Sequence, residues 1–390
     1  MGKVYFAVFG SGLGHATRVL EMATLVGAAG SRVRCSSSGQ GLQYIRTRAP
    51  TMDTVESPPF DVEWTEEGSF SSGEFLKHFP FMLRSFLKQV TFEAESISRF
   101  RPAVVMSDSR LSAVLAGSIL SCPVVTILNQ FKINLPPRFR GNAVARFYER
   151  IGGDVLGLMW SLSAELLLTD LPPPYTIGEA NVAGTDLSKT VRYVGFTSPA
   201  REVSDGMLSK AKEAVGFDGR PLVFFQISGP DATKDLLIET SIRAASRLSA
   251  SYKVVVSKGY LGGSGEPQRL AGGVLVYDWC PIKDELFMLA DAVVARSGHR
   301  TIGQCIDAGK PAVLVPIHNH SEQLGNADKF QRLGLGIAIP QRGLSAERLA
   351  ESVERCVQDD RYRRSVEAVG RVSKRYNGIE KCAEILESYS

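Results

Sequence analysis

Residues 4–15 of the chain read VYFAVFGSGLGH and are followed by an amphipathic stretch. The apolar run Val4–Phe9 predicts a strand, Gly10–Gly14 predicts a tight turn, and Ala16–Ala29 predicts a helix. Glycines allow positive φ angles and let a ligand approach the backbone closely, and a helix N-terminus adds unpaired N–H groups. This opening therefore predicts a ligand-binding turn at the carboxyl edge of a parallel sheet.

Short apolar runs and amphipathic stretches continue to alternate in two series, which favours parallel sheets flanked by helices. The Gly- and Pro-containing stretch Tyr193–Pro199 separates the two series. We therefore predict an α/β protein of two Rossmann-like, doubly wound domains facing a central cleft, at 1–197 and 198–375, with a final helix at 376–390 packed back on the first domain. The other predicted strands are Val104–Ser107, Val124–Leu128, Leu166–Thr169, Leu222–Gln226, Lys253–Ser257, Leu275–Tyr277, Ala292–Ala295 and Ala312–Val315, and the other predicted helices are Thr233–Leu248, Thr301–Ala308, Ser321–Leu333, Ala346–Val357 and Tyr362–Leu386.

The composition limits the class of protein. A net charge of only +4 over 390 residues argues against a nucleic-acid partner. No apolar run approaches the roughly 18 residues of a membrane span. The six cysteines form no CxxC pair, which is typical of reduced thiols and not of a disulfide framework or a zinc site. We expect a cytoplasmic protein.

His15 and Asp108 are the candidate catalytic residues. His15 stands where a dinucleotide-binding GxGxxG turn has its last glycine, so a nicotinamide cofactor is not expected. Two interpretations of His15 stay open: it takes a proton from an acceptor hydroxyl, or it only hydrogen-bonds the turn. Asp108 follows a predicted strand at the same sheet edge. It would orient His15 or bind the acceptor, or it would be a helix N-cap.

Two turns in the second series predict a diphosphate site. Arg296–Thr301 reads RSGHRT between a strand and a helix, so backbone N–H groups, two hydroxyls and two arginines would converge there. The turn Gln226–Pro230, which follows another strand, would approach the same phosphates. Each turn taken singly is only an α/β connection.

The stretch Trp279–Gln323 resembles the donor-binding box of the GT-B glycosyltransferases that include MurG and the UDP-glycosyltransferases. The similarity lies in Trp279-Cys280-Pro281, in Arg296-Ser297-Gly298 with Thr301, in Ala308–Pro311, and in Glu322-Gln323 with Asn326. The turn that ends at His15 resembles the N-terminal turn of the same enzymes, whose histidine is often the catalytic base.

The resemblance implies an N-terminal acceptor-binding domain and a C-terminal donor-binding domain. Trp279 would lie along the nucleotide base, the loop at Ser297 would hold the diphosphate, and Glu322-Gln323 would reach the transferred sugar. The donor-binding residues that we expect are Gly12, Gly14, Ser228, Gly229, Trp279, Arg296, Ser297, Gly298, His299, Arg300, Thr301, Gln304, Glu322, Gln323 and Asn326.

Two positions depart from the pattern. Gln304 stands where the box normally has a glutamate that binds both ribose hydroxyls, and an amide offers one acceptor oxygen there. The motif therefore indicates that the donor is a nucleotide-sugar, but it defines less well which nucleotide the donor carries. Pro281-Ile282 replaces the Pro-Gln of plant-type members, which places the chain nearer to MurG.

The expected reaction is an inverting transfer of a sugar from a nucleotide-sugar, with UDP expected as the nucleotide, to a hydroxyl acceptor. No Asp-x-Asp pair that would hold a divalent ion occurs, and a metal at His318-x-His320 would need a third ligand brought from elsewhere. We expect no metal and no cofactor. Two alternatives remain: a UDP-sugar 2-epimerase, and a non-catalytic subunit that binds nucleotide-sugar.

The acceptor is the least defined partner. Phe75–Phe92 and 132–150 combine aromatic and basic residues. Such stretches would rest on the inner face of a membrane and admit a lipid or lipid-linked glycan. Alternatively, the aromatic residues face the core and the charges face water.

Overall fold

The computed structural model describes residues 2–10, 13–59, 72–129, 143–182, 191–197, 203–260 and 262–390. Contacts divide the chain into two compact units: one runs to Thr197 and includes Tyr376–Ser390, and the other runs from Ser198 to Arg375. Each unit contains a parallel sheet with helices around it. The predicted class of two parallel-sheet α/β domains is confirmed.

The first unit is built on a parallel sheet with the strand order β3-β2-β1-β4-β5-β6-β7. The chain therefore leaves β1 towards one edge of the sheet and returns to β4 on the other side. The strands are β1 Lys3–Val8, β2 Arg32–Ser37, β3 Asp53–Glu56, β4 Val104–Asp108, β5 Val124–Leu128, β6 Glu165–Leu168 and β7 Val191–Tyr193, and the helices are α1 Leu13–Ala28, α2 Gly39–Arg48, α3 Ser72–Phe100, α4 Leu111–Ile119, α5 Ala143–Trp160 and α6 Glu179–Val182.

The second unit repeats this plan with the order β10-β11-β9-β8-β12-β13-β14, in which only the short β10 runs antiparallel to its neighbour. Here the reversal of direction lies between β8 and β12. The strands are β8 Leu222–Gln226, β9 Lys253–Ser257, β10 Gln268–Arg269, β11 Leu275–Tyr277, β12 Ala292–Ala295, β13 Ala312–Leu314 and β14 Gly336–Ala338, and the helices are α7 Asp205–Val215, α8 Asp235–Leu248, α9 Lys283–Leu289, α10 His299–Asp307, α11 Ser321–Arg332, α12 Ala346–Gln358 and α13 Asp360–Ser373.

The last helix, α14 (Gly378–Glu387), belongs to the first unit. Ile379, Cys382 and Leu386 are buried in one cluster with alternate residues of β1 and with α1. The other β1 residues pack on the opposite face with α3 and α4. Because helices cover both faces, β1 can be a continuous apolar run. The predicted single helix at Tyr362–Leu386 is wrong in detail, since the chain breaks it between Ser373 and Gly378.

None of the described helices is both long and apolar enough to cross a membrane.

The return of the chain to the first unit depends on a close backbone approach at Gly378. A Cβ atom there would lie 2.6 Å from the carbonyl oxygens of both Gly195 and Phe196. Backbone atoms cannot move aside as a flexible side chain can. The glycine is therefore required by packing.

We expect Gly378→Ala to lower the free energy of unfolding by about 2 kcal/mol, the usual cost of overpacking. Gly152→Ala is the matched control because it lies within α5 with no atom within 4 Å of its added Cβ. Helix propensity there favours alanine by roughly 0.5–1 kcal/mol. Urea unfolding of both variants measures the difference, and equal effects would contradict the packing argument.

Candidate functional site

The first unit places its polar side chains where the sheet direction reverses. Parallel strands bring all their carboxyl ends to one edge, and ligands of such sheets bind at the point where the chain diverges from adjacent strands. In this unit the point lies between β1, which leads to His15 in the first turn of α1, and β4, which ends at Asp108.

His15 and Asp108 form a hydrogen-bonded pair at this point. His15 Nδ1 lies 2.8 Å from Asp108 Oδ1. Asp108 is fully buried, whereas the His15 side chain is 24% exposed, and the Phe9 ring packs edge-on at 5.5 Å between centroids. Within the described residues, the polar atoms at hydrogen-bond distance from His15 lie beside Nδ1: Asp108 Oδ1 at 2.8 Å and Arg18 Nη2 at 3.1 Å. The arrangement therefore leaves Nε2 available to a ligand.

Arg18, which the sequence did not lead us to predict, contacts both residues of this pair. Its Nε donates to Asp108 Oδ2 at 2.5 Å and its Nη2 donates to Oδ1, and the residue is only 4% exposed. Nη1 donates to Asn129 Oδ1 at 2.7 Å. The available signal was spacing, because residues three apart lie on one face of a helix, and Arg18 is three residues after His15.

Asp108 is ionised at this position. Burial by itself raises the pKa of the Asp108 carboxyl, but the charges and hydrogen bonds of Arg18 and His15 outweigh burial and lower it to about 2. Asp108 is the last residue of β4, and the N-cap of α4 is Arg110. The interpretation of Asp108 as a helix N-cap is therefore wrong, and the structure brings it to His15.

The second unit collects three loops at its own point of reversal. Ser228 and Gly229 follow β8, Gly298 follows β12, and Ile317 follows β13. Gly229 has φ +116°, a conformation that only glycine adopts readily, and its position would set a Cβ 3.6 Å from Ile317. Because β8 and β12 are neighbouring strands, the loops that follow them begin side by side.

Arg296 does not lie on the surface of these loops. It is 1% exposed, and burial lowers its pKa to about 10. Its guanidinium donates to Val315 O at 3.1 Å, to Gln341 Oε1 at 2.6 Å, and to Thr233 O. The expected contact of Arg296 with a diphosphate is therefore corrected: the arginine ties three segments of its own unit together.

Three further residues of the expected donor set also hold the loops in place. The Ser297 hydroxyl donates to Gln323 O at 2.8 Å, and Asn326 Nδ2 donates to Ser297 O at 3.2 Å. Gln323 Oε1 accepts the N–H of Ile317 at 3.0 Å. All three side chains are buried. Their hydrogen bonds fix α11 against the loop that precedes α10.

Gly298 is the N-cap of α10 and borders open space, because a Cβ there would meet no atom within 4 Å. The N-terminus of a helix carries N–H groups without intrahelical acceptors and a partial positive charge. His299 and Thr301 are buried in the first turn, and Arg300 is half-buried. This helix end can receive an anion.

The remaining predicted residues occupy other places around these loops. Ser228, Trp279, Gln304 and Glu322 are half-buried, and Gly229 is exposed. In the first unit Gly14 lies in the first turn of α1, where an added Cβ would meet no atom within 4 Å, and Gly12 lies outside the described residues. Within the described part of the chain, no three His, Cys, Asp or Glu residues are grouped so as to hold a metal ion.

The buried charge of Asp108 makes stability depend on pH. An aspartate that titrates near pH 2 when folded and near 3.9 when unfolded contributes roughly 2–3 kcal/mol at neutral pH. This contribution is present above the unfolded pKa and is lost as the pH falls towards 2. We expect Asp108→Asn to lower the free energy of unfolding by about 3 kcal/mol at pH 7, because Arg18 loses its partner.

The gap between the wild type and Asp108→Asn should shrink as the pH falls from about 5 to 2. Urea unfolding across this range measures it. Asp53→Asn is the control because its carboxyl is partly exposed and pairs with Arg34 at 2.8 Å on a different part of the sheet. A gap that stays constant with pH would contradict the ionised, buried state of Asp108.

Comparisons with known proteins relate this chain to glycosyltransferases. Residues 237–381 match the model of the glycosyltransferase family 28 C-terminal domain. An uncharacterised glycosyltransferase of Methanosarcina acetivorans is 23% identical over 99% of this chain and 98% of its own length. A UDP-N-acetylglucosamine–N-acetylmuramyl-(pentapeptide) pyrophosphoryl-undecaprenol N-acetylglucosamine transferase of Geobacillus kaustophilus is 26% identical over 43% of this chain and 48% of its own length.

Among solved structures, the calicheamicin glycosyltransferase superposes with a TM-score of 0.70 at 17% identity, over 100% of this chain and 98% of its own. At that identity the likeness establishes the fold. The family model and the relatives add the activity class to it. The chain is thus a glycosyltransferase with the GT-B fold, and it is similar to enzymes of the MurG and UDP-glycosyltransferase type.

Proposed function

We propose that the chain transfers a sugar from a UDP-sugar to a hydroxyl acceptor, with inversion at the anomeric carbon and without a metal ion. The observation that carries this proposal is the His15–Asp108 pair, whose Nδ1–Oδ1 distance is 2.8 Å. A carboxylate that accepts Nδ1–H leaves the lone pair of Nε2 to take a proton, which is the geometry of a general base.

In the proposed reaction, His15 Nε2 removes the proton of the acceptor hydroxyl as its oxygen attacks the anomeric carbon of the donor. The bond from that carbon to the diphosphate oxygen breaks, and the nucleoside diphosphate leaves with the electron pair. A single displacement of this kind inverts the anomeric centre. Asp108 orients the ring and stabilises its protonated form, while the 24% exposure of His15 gives an acceptor access.

The diphosphate would bind at the N-terminus of α10. Gly298 leaves space beside the helix end, and the helix charge with Arg300 would stabilise the leaving group without a divalent ion. UDP is inferred from the name of the Geobacillus relative. Gln304 would contact the ribose and Glu322 the sugar, as the motif resemblance implies.

The two alternatives explain fewer of the observations. A UDP-sugar 2-epimerase acts on the donor alone, and a binding subunit needs no base. Neither requires an ionised Asp108 to orient His15 at a sheet edge of the first unit. Transfer gives both units a chemical role.

A lipid or lipid-linked acceptor is favoured by the surface of α3. Phe81 is 67% exposed and Leu87 is 54% exposed, and both lie near the exposed basic residues Arg84 and Lys88. These side chains do not face the core. We therefore propose that α3 rests at a membrane surface on the cytoplasmic side. The side chains of 75–79 and 132–149 lie outside the described part of the structure.

We expect His15→Ala to reduce turnover by about 10²- to 10⁴-fold, the usual contribution of a general base, with the Kd for UDP unchanged. The assay follows UDP release from UDP-N-acetylglucosamine with total lipid extract as the acceptor source. Thr24→Ala, at an exposed position on the same helix, should retain wild-type turnover.

The wild type in the same assay separates the candidate functions. Release that depends on lipid extract supports transfer. Isomerisation of the donor without extract would support an epimerase, and UDP-sugar binding without turnover would support a subunit. Unchanged turnover in His15→Ala would remove His15 as the base.

A second prediction concerns the donor site. Gly298→Thr keeps an acceptable N-cap residue but places a branched side chain in the open space beside α10. We expect the free energy of unfolding to change by less than about 0.5 kcal/mol and the Kd for UDP to rise more than about tenfold, measured by isothermal titration calorimetry. Gly206→Thr in α7 is the control in the same unit. Equal UDP affinities in the two variants would place the diphosphate elsewhere.

A further inference from the structure

Arg18 is a buried cation that donates to Asp108 and lies against His15. Its Nε lies 2.5 Å from Asp108 Oδ2, its Nη2 donates to Oδ1, and Nη2 lies 3.1 Å from His15 Nδ1. The residue is 4% exposed. Because its polar atoms face protein groups, we do not assign it a substrate. The guanidinium therefore acts on Asp108 and His15.

We propose that Arg18 is a positioning residue that keeps Asp108 a carboxylate and thereby fixes His15 in its Nδ1–H tautomer, with Nε2 left to the acceptor hydroxyl. This proposal rests on the proposed role of His15 as the base. It adds a residue that neither the family model nor the motif resemblance includes.

The tautomer of a neutral imidazole depends on what its partner does. A carboxylate can only accept, so it holds the ring proton on Nδ1. A protonated Asp108 would instead donate to Nδ1 and place the ring proton on Nε2, where it would block proton removal from the acceptor. The ionisation of Asp108 therefore decides whether His15 can act as a base.

Arg18 is the group that outweighs the effect of burial on Asp108. Full burial raises the pKa of the carboxyl, and the first opposing contribution is the charge of Arg18, followed by that of His15. To accept a proton, His15 must be neutral, and a neutral His15 supplies no charge. In that state the charge of Arg18 opposes the effect of burial on Asp108 without help from His15. Cys382 of α14 also faces the pair, but burial raises the pKa of its thiol to about 12 and keeps it neutral.

The guanidinium is itself held in place by two neighbouring strands. Nη1 donates to Asn129 Oδ1 at 2.7 Å and lies 3.4 Å from Thr169 Oγ1, and Thr169 donates to Asn129 at 2.8 Å. Asn129 follows β5 and Thr169 follows β6. A planar fork that binds a carboxylate and an amide at once cannot be reproduced by lysine. The geometry thus favours arginine specifically.

The test reads the tautomer directly, by ¹⁵N NMR of histidine-labelled, full-length protein at pH 8, where an imidazole is neutral. The spectrum of His15→Gln assigns the His15 signals among the five histidines. We expect the wild type to show Nδ1–H and Arg18→Gln to show mainly Nε2–H, with kcat about 10²-fold lower and the Kd for UDP unchanged. Arg18→Lys, which keeps the charge, should retain more of the Nδ1–H form.

Arg110→Gln is the matched control because Arg110 forms a second buried pair, with Glu93 at 2.6 Å, in the same unit. It should leave the His15 tautomer unchanged, and circular dichroism establishes that each variant is folded. A folded Arg18→Gln protein with an unaltered Nδ1–H signal, or a folded Arg18→Lys protein that keeps no more of this signal than Arg18→Gln, would overturn the proposal. If instead the tautomer changes but the wild type transfers no sugar, the proposed function fails while the role of Arg18 stands.

Discussion

Parallel strands joined by helical crossovers must end at one edge of their sheet, and the rest of this structure depends on that constraint. Where two adjacent strands continue into connections that run to opposite sides, the loops that follow them diverge. They leave a space at the carboxyl edge of the sheet that no crossover fills. In the first unit this place lies between β1 and β4, and in the second between β8 and β12. The predicted catalytic pair and the donor loops lie at these two places.

Both units have a buried arginine at the place of reversal, but the two arginines act differently. Arg18 faces a carboxylate, and the two charges stabilise each other inside the protein. Arg296 faces carbonyl and amide oxygens, so burial acts without an opposing anion and lowers its pKa. The first arrangement controls the protonation of a side chain. The second fixes the shape of a loop, and in the proposed function the anion binds instead at the N-terminus of α10.

Much of the fold could be predicted because buried parallel strands are apolar runs. Val4–Phe9, Val124–Leu128 and Lys253–Ser257 agree with β1, β5 and β9 to within a few residues. The strands that were missed lack this signal: β2 reads RVRCSS and pairs with β1 through its backbone. β14 is only three residues long and contains Gly336. A Cβ atom added to this glycine would lie 1.9 Å from Ala312 O. Such strands depend on their neighbours and not on their own composition.

The sequence by itself determined the two α/β units, the glycine turn before His15 and the donor motif, because these are set by local patterns of apolar residues, glycines and helix starts. Only the tertiary structure decided that Asp108 binds His15, that Arg18 joins them, and that Arg296 is turned inward. Those contacts link residues as far as 93 positions apart. Burial and charge balance at such contacts depend on what the fold brings together, so no local pattern in the chain encodes them.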